Sequence, residues 1–127
     1  MKEGLLDSIK FNENDLVPVI AQQHDTGEVL MLAWMNRDAI RETLATHSLC
    51  YFSRSRGKLW RKGEESGHFQ NLVELRLDCD RDTLLALVEQ KGVACHTGRR
   101  SCFFMSVRED SVTETREVLR APETLYD

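Results

Sequence analysis

The chain of 127 residues is long enough for one domain with its own core, and its 41% hydrophobic and 30% charged residues are typical of a globular protein. A net charge of −4 argues against general nucleic-acid binding, which depends on a basic surface. No apolar run approaches the ~20 residues of a membrane span, and the N-terminus lacks the apolar core of a secretory signal, so we expect a cytoplasmic protein whose four cysteines stay reduced.

The first third of the chain predicts a β-hairpin. Residues 1–15 are polar and broken, which indicates a short helix or an arm. Residues 16–22 and 28–35 are rich in β-branched and apolar side chains, and a turn at residues 24–27 joins them, as is typical of two hairpin strands. Pro18 favours an edge position for the first strand, because proline cannot donate a hydrogen bond to a neighbouring strand.

The middle of the chain predicts a helix, two strands and a loop. Asn36 is a favourable N-cap for the helix, and residues 48–53 predict the third strand. Residues 54–67 indicate a long polar loop. Residues 71–78 alternate between apolar and polar side chains, as a half-buried strand does.

The last third predicts a helix over residues 83–90 with Asp82 as its N-cap, a strand over residues 101–107 and a helix around residues 112–119. We therefore expect a single α+β domain over residues 1–127, with its core at about residues 16–107. Its fold should be a mostly antiparallel β-sheet with two or three helices.

Three of the four cysteines, Cys79, Cys95 and Cys102, lie close together in the sequence. Thiolates are preferred zinc ligands, and three protein ligands are typical of a catalytic zinc site, whereas four are typical of a structural one. The chain has no C-x-x-C pair, so a zinc ribbon or finger is not indicated. Three packed thiols remain an alternative. We interpret Cys50, which has apolar neighbours, as a buried core thiol.

The spacing of these cysteines indicates a homodimer. A helix between Cys79 and Cys95 would be roughly 15 Å long, and the short connectors could return both thiols to one ion only if nearly extended. A simpler arrangement takes Cys79 from one chain and Cys95 and Cys102 from the other. His96, next to Cys95, is the candidate base beside the metal, and a histidine hydrogen-bonded within a turn is the alternative.

The same part of the chain also contains candidate ligands for a second metal. Asp78, Asp80 and Asp82 form a D-x-D-x-D pattern, whose carboxylate oxygens suit a hard cation such as magnesium. Because side chains alternate across a strand, Cys79 should point away from them, which predicts two separate metal sites. A solvated strand edge with Asp82 as an N-cap is the alternative.

Residues 54–62 place five cations and a tryptophan in an otherwise acidic chain, a composition that suits a phosphorylated ligand with a stackable base. Two further arginines lie between the second and third candidate zinc ligands. An ordinary solvated loop is the alternative. The candidate substrate-binding residues are Arg54, Arg56, Lys58, Trp60, Arg61, Lys62, Arg99 and Arg100.

Five motifs along the chain are long enough to be specific. They are W-M-N at residues 34–36, Y-F-S-R-S-R-G-K-L-W-R-K-G-E at 51–64, S-G-H-F-Q at 66–70, L-D-C-D-R-D at 77–82 and A-C-H-T-G-R-R-S-C-F at 94–103. In this order they resemble the phosphoribosyl-AMP cyclohydrolase family of histidine biosynthesis.

The resemblance implies a hydrolase, dependent on zinc and magnesium, that opens the adenine ring of phosphoribosyl-AMP at the N1–C6 bond to give the formimino-carboxamide ribotide. It implies a homodimer with one zinc ion per subunit, and we expect a monofunctional form without a pyrophosphohydrolase domain. The residues that it assigns by position are Cys79, Cys95 and Cys102 for zinc, with Cys79 shared across the dimer, Asp78, Asp80 and Asp82 for magnesium, and His96 for proton transfer.

Two other functions remain open from the sequence. One is a non-catalytic zinc-stabilised module that binds a nucleotide or a protein and uses Cys50 as a fourth ligand. The other is a different nucleotide hydrolase that leaves the base ring intact. A standard zinc deaminase is not indicated, because its H-x-E and P-C-x-x-C signatures are absent from the sequence.

Overall fold

The computed structural model describes residues 3–119, which contain two helices and eight strands. Neither of these helices has the length and apolar character needed to cross a membrane. In chain order the elements are α1 (Glu3–Asp7), β1 (Val17–Gln23), β2 (Val29–Met35), α2 (Arg37–Thr46), β3 (Cys50–Ser53), β4 (Lys58–Arg61), β5 (Gln70–Leu77), β6 (Leu84–Gln90), β7 (Met105–Arg108) and β8 (Ser111–Glu114).

A four-stranded sheet with the order β2-β1-β6-β5 organises the fold. β1 pairs antiparallel with β2, which confirms the predicted hairpin, and β5 pairs antiparallel with β6. β1 and β6 are parallel, with Ile20 opposite Leu85, so one of the three pairings differs in direction. The expected α+β fold with mostly antiparallel sheets is therefore confirmed, with two helices in the described residues.

The helix predicted over residues 83–90 is wrong, because this segment is β6, an inner strand of the sheet. Its side chains alternate in burial, and Leu84, Ala86, Val88 and Gln90 are all buried. Leucine and alanine favour helices, but this intrinsic preference is weak compared with tertiary interactions. Pairing with a strand on each side, together with burial of alternate side chains, outweighs that preference.

The edge position predicted for β1 is also wrong, because β1 lies between β2 and β6. Pro18 is tolerated there because the parallel pairing with β6 begins one residue later, at Val19 opposite Leu84. Pro18 thus lies beyond the end of that ladder, where β6 requires no donor from it.

The start of α2 agrees with the prediction. Oδ1 of Asn36 accepts a hydrogen bond from the Ala39 N–H at 2.8 Å, as an N-cap does. The helix ends at Thr46, and its C-cap His47 has a left-handed backbone with a φ of 61° and donates its N–H to the Thr43 carbonyl. The Thr43 hydroxyl is buried and accepts from the Cys50 N–H at 2.9 Å, which ties α2 to β3.

Two antiparallel ribbons complete the described structure. The β3–β4 ribbon places Trp60 opposite Tyr51, so the loop predicted over residues 54–67 contains a strand. Pairing with β3 orders this polar segment, because its backbone groups have strand partners.

The β7–β8 ribbon replaces the helix predicted around residues 112–119. The chain reverses near Glu109, whose φ is 54°, and β-branched Val112 and Thr113 then pair with β7. The strand predicted over residues 101–107 is shorter than expected, since β7 begins at Met105.

One hydrophobic cluster joins the sheet to α1, α2 and β3. Burial of each large side chain in it, such as Leu30 or Met35, contributes about 1.5–3 kcal/mol. A buried polar chain crosses this core: the Tyr51 hydroxyl donates to Oε1 of Gln70 at 2.6 Å, and Nε2 of Gln70 donates to Oε1 of Gln90 at 2.8 Å. These bonds fix β3 relative to β5 and β6 and thereby position the adjoining β3–β4 ribbon.

Candidate active site

A cleft of about 600 Å³ lies between the β3–β4 ribbon and the segment over residues 94–102. This volume is within the range of about 300–1,000 Å³ that is common for small-molecule sites. The segment contributes His96 and Cys102 to the lining. The ribbon and the residues beside it contribute five of the predicted substrate contacts, namely Arg56, Lys58, Trp60, Arg61 and Lys62.

A tight turn presents His96 to this cleft. The Gly98 N–H donates to the Cys95 carbonyl at 3.0 Å, and Gly98 has a left-handed φ of 86°, which glycine adopts without a Cβ penalty. The Cys95 N–H donates to the Arg99 carbonyl at 3.1 Å, which closes the turn. The Thr97 hydroxyl also donates to the Cys95 sulfur at 3.0 Å. The Cys95 side chain is therefore held in place, while His96 is exposed at the tip.

The structure brings two of the three predicted zinc ligands together. The Cys102 N–H donates to the Leu30 carbonyl at 2.7 Å, which fixes Cys102 beside β2. Its thiol lies close enough to that of Cys95 for the two groups to interact electrostatically. Cys102 is exposed on one side and packed on the other. Desolvation of the packed side raises the pKa of Cys102 to about 12, and the adjacent Cys95 thiol acts in the same direction. Two thiolates would repel one another here, so the pair suits a bound cation with a preference for sulfur.

The third predicted ligand, Cys79, lies elsewhere in the chain. It is exposed in the turn between β5 and β6, whereas Cys95 follows the opposite end of β6. A seven-residue strand spans about 23 Å at roughly 3.3 Å per residue, which is longer than the helix that we expected there. Among residues 3–119, no cluster of three potential ligand residues includes a cysteine. One chain therefore offers two of the three sulfurs expected for the zinc site.

The predicted magnesium ligands do come together. Asp78, Asp80 and Asp82 follow β5, and one carboxylate oxygen of each lies within 4.8 Å of the others. Desolvation acts to raise the pKa of Asp78, but hydrogen bonds from the backbone N–H groups of Asp82 and Thr83 outweigh it and lower that pKa. Hydrogen bonding with Asp82 and Asp78 raises the pKa of Asp80. Such crowding of carboxylates fits a divalent cation with oxygen ligands.

Cys79 lies in the same turn as the three aspartates but belongs to no ligand cluster with them. The segment over residues 78–82 is a turn rather than the end of a strand, so alternation across a strand does not apply to it. The carboxylate cluster and the pair Cys95 and Cys102 flank opposite ends of β6, and two separate metal sites stay a prediction.

Two arginines that were predicted to bind substrate form ion pairs outside the cleft. Arg99 forms an ion pair with Glu114 at 2.9 Å, and Arg100 forms one with Glu28 at 2.9 Å. Desolvation acts to raise the pKa of Glu28, but hydrogen bonds from Arg116 and Arg100 outweigh it and lower the pKa. Neither Arg99 nor Arg100 is among the described residues that line the cleft. Their predicted role in substrate binding stays a prediction.

The basic residues of the β3–β4 ribbon differ in their partners. The Arg61 guanidinium is paired with both carboxylate oxygens of Glu42, at 2.7 and 2.8 Å. Arg54 stacks over the ring of Trp34, 4.8 Å from its centroid, and is not among the cleft-lining residues described. Arg56 and Lys58 are exposed, and their charged groups form no ion pair within residues 3–119.

Cys50 is buried at 1% exposure in the hydrophobic cluster, as predicted. Burial and the nearby Glu42 raise the pKa of its thiol to about 12. Cys50 does not contribute to the described lining of the cleft. This position favours the interpretation of a core thiol over that of a fourth zinc ligand.

Comparison with known proteins shows the family of this chain. The family model described as phosphoribosyl-AMP cyclohydrolase matches residues 31–104. A curated phosphoribosyl-AMP cyclohydrolase from Granulibacter bethesdensis is 66% identical over 123 residues, which cover 96% of this chain and 96% of the relative. The chain belongs to the phosphoribosyl-AMP cyclohydrolase family.

Further relatives of the same name support this assignment. The protein from Acidiphilium cryptum is 64% identical and covers 90% of this chain and 98% of its own length. The protein from Paramagnetospirillum magneticum is 60% identical and covers 97% of this chain and 93% of its own length. The expectation of this enzyme family is therefore confirmed.

The cleft of this family member also has lining residues that were not predicted from its sequence, and two of them are carboxylates. Glu64, Glu65 and Ser66 line the cleft beside the basic ribbon. They follow Gly63, whose φ is 88° and whose missing Cβ would lie 2.8 Å from backbone atoms of Phe69. The run G-E-E-S-G was a usable signal, because glycines on both sides of two carboxylates indicate a constrained functional loop.

Proposed function

We propose that this chain opens the adenine ring of phosphoribosyl-AMP by zinc-dependent hydrolysis of the N1–C6 bond, as a step of histidine biosynthesis. The observation that carries the proposal is the cleft that His96 and Cys102 line together with cations that have no acidic partner within residues 3–119, in a member of the phosphoribosyl-AMP cyclohydrolase family. The product would be the formimino-carboxamide ribotide.

The exposed cations would bind the phosphate groups of this substrate. Arg56 and Lys58 line the cleft and have no acidic partner among the described residues, so an anionic ligand can use both charges. Trp60 is half-buried in the wall, where its ring offers an apolar surface for the base. Glu64 and Glu65 on the same wall would disfavour additional anions and help to orient the substrate.

His96 would carry the proton transfers. Water adds to C6 of the ring, the N1–C6 bond breaks, and the released N1 takes a proton. An exposed imidazole on a constrained turn beside the cleft can take a proton from the attacking water and deliver one to N1. The turn that holds Cys95 also fixes the position of His96 next to it.

Two metal sites belong to the proposal. Cys95 and Cys102 would hold zinc together with Cys79 of a second copy, and a zinc ion held there supplies Lewis acidity at neutral pH. The three aspartates after β5 would hold magnesium, which commonly binds substrate phosphates as well. A reducing cytoplasm is the proposed location, because the thiols must stay reduced to act as ligands.

A homodimer is proposed on two observations. The sulfur of Cys79 is separated from the other two within one chain, as described above. In addition, the β7–β8 ribbon and the residues just before it expose a set of large apolar side chains, and a two-stranded ribbon alone is at best marginally stable in water. Packing against a second copy would bury this set, whose members are Phe103, Met105, Val107 and Val112.

Metal analysis combined with a turnover assay on phosphoribosyl-AMP tests the proposal. We expect about one zinc ion per chain and a change in the ultraviolet absorption of the base as the ring opens. Zinc chelation should abolish turnover, and removal of magnesium alone should mainly raise KM. A product that keeps the intact base would contradict the proposal. Loss of zinc from Cys50→Ala would instead favour a structural zinc module.

A further inference from the structure

Lys62 is a buried cation in the wall of the cleft. The residue is 6% exposed and follows directly after β4. Its N–H donates to the Leu49 carbonyl at 3.0 Å, so the ribbon fixes the start of the side chain. Its ammonium lies 5.8 Å from the centroid of the Trp60 ring. No carboxylate among residues 3–119 forms an ion pair with it.

This environment separates Lys62 from the other cations of the cleft. Arg61 is neutralised by Glu42, and Arg56 and Lys58 are exposed to water, which solvates their charges. A buried ammonium without a carboxylate partner is unfavourable unless another anion compensates for its lost hydration. The position of Lys62 therefore indicates an anionic group at this point of the cleft.

Cys95 and Cys102 would supply this anionic charge once they bind a metal ion as thiolates. Cys102 lines the same cleft as Lys62, and both Cys102 and Cys95 lie within electrostatic reach of the Lys62 ammonium. Two thiolates side by side repel one another, and three thiolates around one zinc ion leave a net negative charge. A fixed cation beside such a site offsets part of that negative charge and thereby stabilises the metal-bound form.

We propose that Lys62 is a positioning residue whose ammonium offsets the charge of the Cys95 and Cys102 thiolates and strengthens zinc binding, rather than a contact for the substrate's phosphate groups. The inference rests on the zinc site of the proposed function. It assigns different roles to Lys58, the first residue of β4, and Lys62, which follows the end of that strand.

Lys62→Met tests this assignment, because methionine keeps the approximate length of the side chain and removes its charge. Zinc affinity is measured by competition with a chromophoric chelator. Lys62→Met should weaken zinc binding by roughly 10- to 100-fold, the usual effect of losing a group that supports metal ligands. Lys62→Arg keeps the charge and should restore most of the affinity. Lys58→Met is the matched control, with zinc affinity unchanged and a higher KM.

Urea unfolding of the metal-free proteins separates this role from a structural one. Metal-free Lys62→Met should be at least as stable as the metal-free parent chain, because the substitution removes a desolvated charge without a carboxylate partner. A loss of stability in the metal-free variant, or unchanged zinc affinity, would overturn the proposal. A higher KM with unchanged zinc affinity would identify Lys62 as a phosphate contact.

The zinc-affinity and unfolding measurements do not depend on whether the chain catalyses the proposed ring opening. A chain that binds zinc without opening the adenine ring would refute the proposed function, while zinc affinity would still decide the role of Lys62. A chain that binds no zinc would overturn both proposals.

Discussion

His96 and His68 have different surroundings, which suit them to different chemical roles. His96 is exposed at a turn that faces the cleft. Nδ1 of His68 accepts a hydrogen bond from the Val93 N–H at 3.0 Å, so the neutral ring carries its proton on Nε2. Protonation of Nδ1 would break that bond. His68 is therefore suited to positioning the chain before Cys95, and His96 is suited to exchanging protons with a ligand.

His96→Ala should lower kcat by roughly 10²- to 10⁴-fold, the usual contribution of a general acid–base group. Its zinc content should stay unchanged, because the sulfur ligands remain. His24→Ala is a suitable control, since His24 pairs with Glu89 at 2.7 Å and is not among the described cleft-lining residues. Turnover of His96→Ala equal to that of the parent chain would remove His96 from the mechanism.

At the scale of elements, the candidate site depends on the close contact of two loops. The loop after β4 carries His68, and the chain after β6 carries Gly92, whose φ is 79°. A Cβ at Gly92 would lie 1.7 Å from Nδ1 of His68, the atom that accepts from Val93. Glycine thus permits the contact that joins the loop over residues 63–68 to the segment that leads to Cys95.

Gly92→Ala should be clearly destabilising. The left-handed backbone costs a residue with a Cβ about 1–2 kcal/mol, and displacement of the packed His68 ring adds about 1–3 kcal/mol. Gly57→Ala isolates the first contribution, because Gly57 also has a positive φ, of 64°, but nothing lies within 4 Å of the position that an added Cβ would occupy. Urea unfolding measures both changes in free energy. Equal losses for the two variants would show that the contact with His68 has no energetic role.

At the scale of the whole molecule, β6 determines where the sulfur atoms lie. Cys79 precedes the strand and Cys95 follows it, so the rigid length of the strand keeps the two apart. Because a symmetric dimer repeats each contact, a site completed by a second copy would occur twice. Each site would combine Cys79 of one chain with Cys95 and Cys102 of the other.

Mixing two inactive variants tests this arrangement. Cys79→Ser and Cys95→Ser should each be inactive alone, whereas subunit exchange should restore about a quarter of the parent activity, since half of the dimers would carry one intact site of two. Mixing Cys95→Ser with Cys102→Ser is the control, because every site in that mixture lacks a sulfur. Exchange is followed by native mass spectrometry, and no recovery after complete exchange would exclude a shared site.

The sequence by itself determined the features that depend on neighbours along the chain. The hairpin of β1 and β2, the N-cap at Asn36 and the five motifs of the family all follow from local patterns. The candidate ligands were also identified from residue type, because sulfur and carboxylate groups have distinct metal preferences. Such inferences need no knowledge of which distant strands are paired.

Only the tertiary structure decided the features that depend on distant partners. The segment L-L-A-L-V-E-Q is compatible with a helix, and it is a strand because β1 and β5 pair with its two edges. Likewise, residue type cannot distinguish Arg100, which is paired with Glu28, from buried Lys62. The physical reason is that the hydration and pairing of a charge, like the ladder of a strand, are supplied by groups far away in the sequence.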